Sequence, residues 1–393
     1  MATSVILGGA RTPIGRYGGA FAGLPATDLG AVAIRAALER SGVAAERVDQ
    51  VVMGQVLQAG TGQITARQAA VAAGVPKEVP AITINKVCLS GLNAVAMADQ
   101  MIRCGEADVV VAGGMESMSG APWLLPRSAD GRTYGAGQAV DSMVHDGLWS
   151  TFTGQSMGES SDAVNRELGI TREDQDAWAA RSHHRAAAAW DADVLAEEVV
   201  PVEIAGKGGT TTVARDEGIR PDTSVERLAK LRPAFGADGT ITAGNASQVS
   251  DGAAALVVAR REVADALGVA PLAEVVAYGM AAGGFPYLHV VPATALERAL
   301  AKAGLRSADL DRLEVNEAFA AVALHVTRLL GVPEERVNVH GGAVALGHPI
   351  GASGARLALT LVHELRRTGL ALGAATICGG GGQGDALILR NVA

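Results

Sequence analysis

The chain has 393 residues, 49% of them apolar and 19% charged, with 50 glycines and a formal charge of −8. A chain of this size buries roughly three quarters of its unfolded surface and has room for two or three domains. The composition argues against disorder, and the negative balance without a basic run argues against general nucleic-acid binding.

No apolar run approaches the length of a membrane span, and the start at Met1–Leu7 lacks the charged head and long apolar core of a secretion signal. Cys88, Cys104 and Cys378 are an odd number without framework spacing, so a reducing cytoplasm is the expected location.

Short apolar runs alternate with helical patterns from Val5 onward, the rhythm of β-α units. Val5–Leu7, Val51–Gly54 and Ile82–Ile84 read as strands. Leu29–Ser41 reads as a helix with Asp28 as N-cap and Gly42 as its stop. Gln63–Ala73 and Leu92–Arg103 read as helices, and Cys104, at the end of the second, reads as a buried structural thiol. Val109–Ala112 is a strand of buried type that Gly113-Gly114 is expected to close.

From Ser119 to about Ser247 the chain is more polar and holds all four tryptophans. This stretch reads as an inserted lid or substrate-binding region whose one long helix is Thr171–Ala189. The pair His183-His184 on that helix points in two directions and reads as a solvated face, not a metal site. The β-α rhythm returns with strands at Ala254–Ala259, Ala273–Tyr278, Leu313–Val315, Val337–Val339, Ala374–Cys378 and Ala386–Arg390. Helices are expected near Val263–Leu267 and over Ala293–Ala303, Ala318–Leu330 and Ala352–Arg367.

A repeat is visible. Arg35–Gly42 followed by Asp49 answers, at constant offset, to Glu297–Gly304 followed by Asp311. Asp108–Gly114 echoes Gly373–Gly380. Two related α/β halves would enclose a site between them.

The chemistry concentrates in glycine-punctuated junctions. Asn85–Gly91 places Cys88 between a strand and a helix, where free N–H groups and the helix dipole would favour a thiolate. The alternative is a small buried hydrophobe. Gly341–Pro349 holds His348 in a stiff turn, suited to acid/base work or to a structural role. Cys378 before Gly379–Gly382 is either a second reactive thiol or a strand-end filler. Asn316-Glu317-Ala318-Phe319 and Gly244-Asn245-Ala246-Ser247 complete the set. Glycine runs leave N–H donors free for an oxyanion. The cysteines and histidine are too dispersed for a zinc site, and no dinucleotide fingerprint is present.

Together these stretches resemble a thiolase of the acetyl-CoA acetyltransferase branch. The likeness also takes in Gly8–Gly15, Gly113–Met118, Lys230–Phe235 and Thr242–Ser247, and so covers nearly the whole chain. It implies two similar α/β halves stacked as five αβαβα layers with an inserted loop domain. The expected boundaries are 1–118 with 248–270, then 119–247, then 271–393.

It further implies a homotetramer that converts two acetyl-CoA into acetoacetyl-CoA and CoA, or runs the reverse thiolysis, with coenzyme A thioesters as substrates and no bound cofactor or metal. By the resemblance Cys88 carries the acyl group and His348 accepts its proton. Cys378 moves the α-proton, and Asn316 holds a water beside His348. The N–H groups of Cys88 and Gly380 form an oxyanion hole. Arg220 is expected near the adenosine and phosphate end of coenzyme A, with Ala243, Ser247, Leu148 and Phe235 along the pantetheine arm.

The sequence departs from the family pattern at Leu288–Pro292, where Met-Gly-x-Gly-Pro is usual, at Ser156 in place of histidine, and at His340 in place of asparagine. The first two concern acyl-chain preference. The competing expectations are a thiolase for longer or branched 3-ketoacyl-CoA and a non-catalytic acyl-CoA-binding relative. A ketosynthase would need histidine or asparagine at Cys378.

Overall fold

The computed structural model describes residues 2–125, 138–206 and 208–392, so residues 126–137 of the expected insertion lie outside it. The principal strands of its main sheet are β1 (Ser4–Arg11), β2 (Gln50–Gly54), β3 (Ala81–Ile84), β4 (Val109–Ser117), β5 (Ser250–Arg260), β6 (Ala273–Ala282), β7 (Arg312–Val315), β8 (Leu372–Gly379) and β9 (Gln383–Asn391). The principal helices are α1 (Ala26–Ser41), α2 (Thr65–Ala73), α3 (Ser90–Cys104), α4 (Met157–Glu167), α5 (Arg172–Asp191), α6 (Val291–Ala303), α7 (Ala320–Leu330) and α8 (Ser353–Thr368).

The strands run in the order β7-β8-β9-β6-β1-β5-β4-β2-β3. From the short antiparallel seam between β1 and β6 (Val5 opposite Glu274, Ile6 opposite Ala273), each half repeats the same sequence of partners. One side reads β1-β5-β4-β2-β3 and the other β6-β9-β8-β7, the latter extended by a parallel bridge from Leu313 to Val337. The repeats seen in the sequence therefore mark equivalent elements: α1 with α6, β2 with β7, and β4 with β8.

The period-two alternation of side chains divides the core into layers. Val5, Val109, Val111 and Val257 pack outward with α1 and α2. Ile6, Val110, Ala112, Leu256 and Val258 pack inward on α3 and α8, as Ala375, Ile377, Leu387 and Leu389 do from the other half. Ala374, Ala386 and Ile388 face the outer helices α6 and α7. Helix–sheet–helix–sheet–helix is thus the five-layer arrangement expected, and it explains why the central strands read as continuous apolar runs: both faces are covered.

Several local expectations differ. Asp28 does not cap α1; the helix begins at Ala26 behind Pro25, and Asp28 sits in the first turn, where its charge still meets the helix dipole. Gly113-Gly114 does not close β4. A Cβ on Gly113 would stand 2.1 Å from the Ala254 carbonyl oxygen, and one on Gly114 would stand 2.0 Å from the Gly351 carbonyl oxygen, so these glycines permit close passage.

Cys104 is exposed, because α3 ends at the protein surface. Val337–Val339 forms no strand. The side chain of Asn338, whose φ is 46°, instead accepts from Val315 N and donates to Val315 O, both at 2.8 Å, and takes the place of the ladder.

The polar stretch contains a second substantial helix, α4. Ser156 caps it by accepting from Glu159 N, while Glu159 accepts from Ser156 N. This Ser-x-x-Glu box was readable from sequence. His183 is buried, not solvated: its Nδ1 accepts from Arg220 N at 3.1 Å, and burial holds its pKa down to about 4.

Candidate active site

The two central helices begin side by side, which brings distant residues together. Their first turns carry Gly91 and Gly354. A Cβ on Gly91 would lie 2.7 Å from Ala355 N, and one on Gly354 would lie 2.3 Å from Leu92 N. Backbone therefore meets backbone, and the loops preceding α3 and α8, which hold Cys88 and His348, open on one cavity. Gly354→Ala should cost on the order of 2 kcal/mol or more, because only main chain can yield. Urea unfolding of the variant measures that loss.

Cys88 sits on a strained turn. Val87 adopts φ 51°, a conformation β-branched residues avoid. The turn is over-determined: Val87 N donates to Asn85 Oδ1 at 2.9 Å, Lys86 N donates to Ser90 Oγ at 2.8 Å, and Ser90 Oγ donates to Val87 O at 2.6 Å. Lys86 Nζ anchors the turn to buried Asp385 at 2.7 Å, tying the first half to the second.

The cavity holds about 300 Å³ and has a mostly apolar lining. Cys88, His348, Cys378 and Gly380 face it, as do Leu148, Phe235 and Ser247. Ser156 and Leu288, two of the departures from the family pattern, also line it. His340 does not; it bonds Glu364 at 2.8 Å. Arg220 and Ala243 are exposed and lie outside the lining, though Ala243 belongs to the turn whose far end is Ser247.

His348 is buried and held in one tautomer. Ser353 Oγ donates to Pro349 O at 2.9 Å, so it must accept from His348 Nδ1–H at 2.6 Å. Nε2 keeps its lone pair, with Asn316 Nδ2 at 3.4 Å. Burial, and secondarily Arg356, holds the imidazole neutral with its pKa lowered to about 3. A neutral imidazole with an unprotonated Nε2 is a proton acceptor.

Enclosure has the opposite effect on the thiols. It pushes Cys88 up to about 12, against the pull of the N–H groups of Gly380 and of Cys88 itself, both directed at the sulfur. The expectation of a resting thiolate is therefore corrected: desolvation outweighs the helix start. Cys378 is likewise raised, by burial and by the nearby Cys88 sulfur.

Two residues given no role from the sequence support this arrangement. Ser353 fixes the His348 tautomer. Buried Glu116 accepts from Val56 N, Leu57 N and Gly351 N at 2.9–3.1 Å, clasping the loop after β2 to the loop after His348, and burial raises its carboxyl to about 7. Neither carries a local signal beyond its place in a glycine-rich stretch.

A paired-half α/β protein with two thiols, a neutral imidazole and aimed amides around an apolar cavity is built for acyl transfer through sulfur. The family model for the thiolase N-terminal domain matches residues 4–262, and that for the thiolase C-terminal domain matches residues 269–391. The chain belongs to the thiolase family.

It is 54% identical to a probable acetyl-CoA acetyltransferase of Mycolicibacterium smegmatis over 98% of this chain and 100% of the relative. It is 49% identical to the acetyl-CoA acetyltransferase of Cupriavidus necator, over 99% and 100%. The crystal structure of the Bacillus anthracis acetyl-CoA acetyltransferase superposes with a TM-score of 0.97 at 39% identity, covering 100% of this chain and 99% of that one.

Proposed function

We propose that this thiolase is an acetyl-CoA C-acetyltransferase, joining two acetyl-CoA into acetoacetyl-CoA and CoA, and running the reverse thiolysis, through an acyl thioester on Cys88. The observation that carries this reading is the single cavity onto which Cys88, Cys378 and the neutral, tautomer-fixed His348 all open.

In the first half-reaction His348 Nε2 takes the Cys88 proton as the sulfur attacks the acetyl carbonyl. The oxyanion rests on the N–H groups of Cys88 and Gly380. Collapse expels the CoA thiolate, which takes the Cys378 proton. In the second, the Cys378 thiolate removes a methyl proton from a new acetyl-CoA, and the resulting enolate faces imidazolium His348 and Asn316. The enolate carbon attacks the acetyl-Cys88 carbonyl, and the departing Cys88 thiolate recovers its proton from His348.

A raised Cys378 pKa suits this role, since the anion that must take a carbon-bound proton has to be a strong base. Asn316 Oδ1 is buried with no partner among the described residues, which supports its holding a water beside His348.

The pantetheine arm runs past Ser247, Phe235 and Leu148, with Arg220 toward the adenosine end. The enzyme is a cytoplasmic homotetramer in this reading. Trp123, Leu125 and Phe152 are each more than 60% exposed, apolar surface of the kind that an assembly would bury. No described helix is long and apolar enough to cross a membrane.

Thiolysis of acetoacetyl-CoA compared with 3-ketooctanoyl-CoA tests the substrate assignment. The expected result is a higher kcat/KM for acetoacetyl-CoA. A clear preference for the longer substrate would replace this reading with a long-chain 3-ketoacyl-CoA thiolase.

A further inference from the structure

Two walls of the cavity come from separate parts of the chain. Ser156 and Met157, at the start of α4, form one, and Leu288, in the turn before α6, belongs to another. Behind Leu288 lies His289, which is fully buried and does not reach the cavity. Its Nε2 is 2.8 Å from Asn165 Oδ1, on the last turns of α4.

Asn165 is fully buried as well. Its Nδ2 donates to Thr240 Oγ1 at 3.0 Å and to Gln175 Oε1 at 3.4 Å. Its oxygen must then accept, so His289 donates from Nε2 and carries a bare Nδ1. That Nδ1 is buried with no hydrogen-bond partner among the described residues. The only ring set edge-on to it among the described residues is that of His325, 6.4 Å away. An unpaired buried acceptor is costly, and an apolar residue of similar size would avoid the cost. The imidazole repays it by supplying the buried cross-link from the Leu288 turn to α4, inside the exposed one in which Tyr287 Oη donates to the Glu167 carboxylate at 2.7–2.8 Å.

We infer that His289 and Asn165 form a strut that fixes the spacing between the Leu288 turn and α4, and thereby limits the acyl chain the cavity accepts. This rests on the proposed acyl-CoA chemistry. His289 is a positioning residue and touches no substrate. Burial holds it neutral, with its pKa lowered to about 3, so the strut persists across the working pH range.

The test is the ratio of kcat/KM for 3-ketohexanoyl-CoA to that for acetoacetyl-CoA in His289→Ala, Asn165→Ala and His289→Gln. Both alanine variants should raise the ratio about tenfold, the scale of discrimination that pocket size provides. They should do so mainly through the longer substrate, with kcat for acetoacetyl-CoA little changed. His289→Gln, which keeps a donor toward Asn165, should retain the parent ratio. If either alanine variant fails to fold, the other reads the same ratio. Equal losses on both substrates, or an unchanged ratio in a folded alanine variant, would overturn the strut. Acetylation of Cys88 in the same proteins separates this outcome from failure of the chemistry: acetylation with an unchanged ratio rejects only the strut.

Discussion

Replacing Cys88 with serine lowers kcat by about 10⁴-fold or more while leaving the fold intact, because the variant keeps the turn but loses the sulfur that holds the acyl group. Serine preserves the volume and the hydrogen bonds around Val87, so circular dichroism and melting temperature should match the parent. Its hydroxyl is a poor substitute, since a serine ester is less readily attacked by a carbon nucleophile than a thioester.

The same variant tests the protonation state. Enclosure raises the Cys88 pKa to about 12, above the ordinary thiol value, so the thiolate is absent below that range and forms only as pH rises through it. The ultraviolet thiolate absorbance of parent minus variant should stay near zero from about pH 5 to about pH 9. A plateau of thiolate signal in that window would show that the helix start prevails over desolvation after all.

His348→Ala should lower kcat by about 10²- to 10⁴-fold, the range expected for loss of a positioned general base. Burial depresses its pKa to about 3, so the imidazole is neutral at every pH above that value and protonates only as pH falls through it. The acylation step in the parent should therefore show no limb near the ordinary histidine pKa of about 6.5. Ser353→Ala gives a partial form of the defect, because the ring survives but its tautomer is no longer fixed by the bond to Nδ1. Rapid-quench kinetics of acetyl transfer to the protein resolve both effects from later steps.

Much of this was legible in the sequence. Apolar runs set the strands, the constant offset between Gly42 and Gly304 announced the two halves, and the glycine-rich turns picked out Cys88, His348 and Cys378. What could not be read was convergence. The meeting of Gly91 with Ala355 N, and of Gly354 with Leu92 N, is a contact between two helices whose packing partners only the fold defines.

Burial was the other hidden variable. His183 looked solvated and Cys104 buried, yet the first is enclosed by the segment that carries Arg220 and the second ends a helix at the surface. The thiolate expected at Cys88 failed for the same reason: a local helix start is visible in sequence, whereas desolvation by surrounding elements is not. Asn338 shows the limit for strands, since its left-handed φ and its side-chain bonds to Val315 replace a ladder that Val337–Val339 would otherwise join.

The central claim is that Cys88 carries the acyl group. Brief incubation with acetyl-CoA, acid quenching and peptide mass spectrometry test it directly. An acetyl adduct on the Cys88 peptide, removed by added CoA and absent from Cys88→Ser, is the predicted result. Folded protein that turns over substrate with no adduct at Cys88, or with the adduct on Cys378, would contradict it.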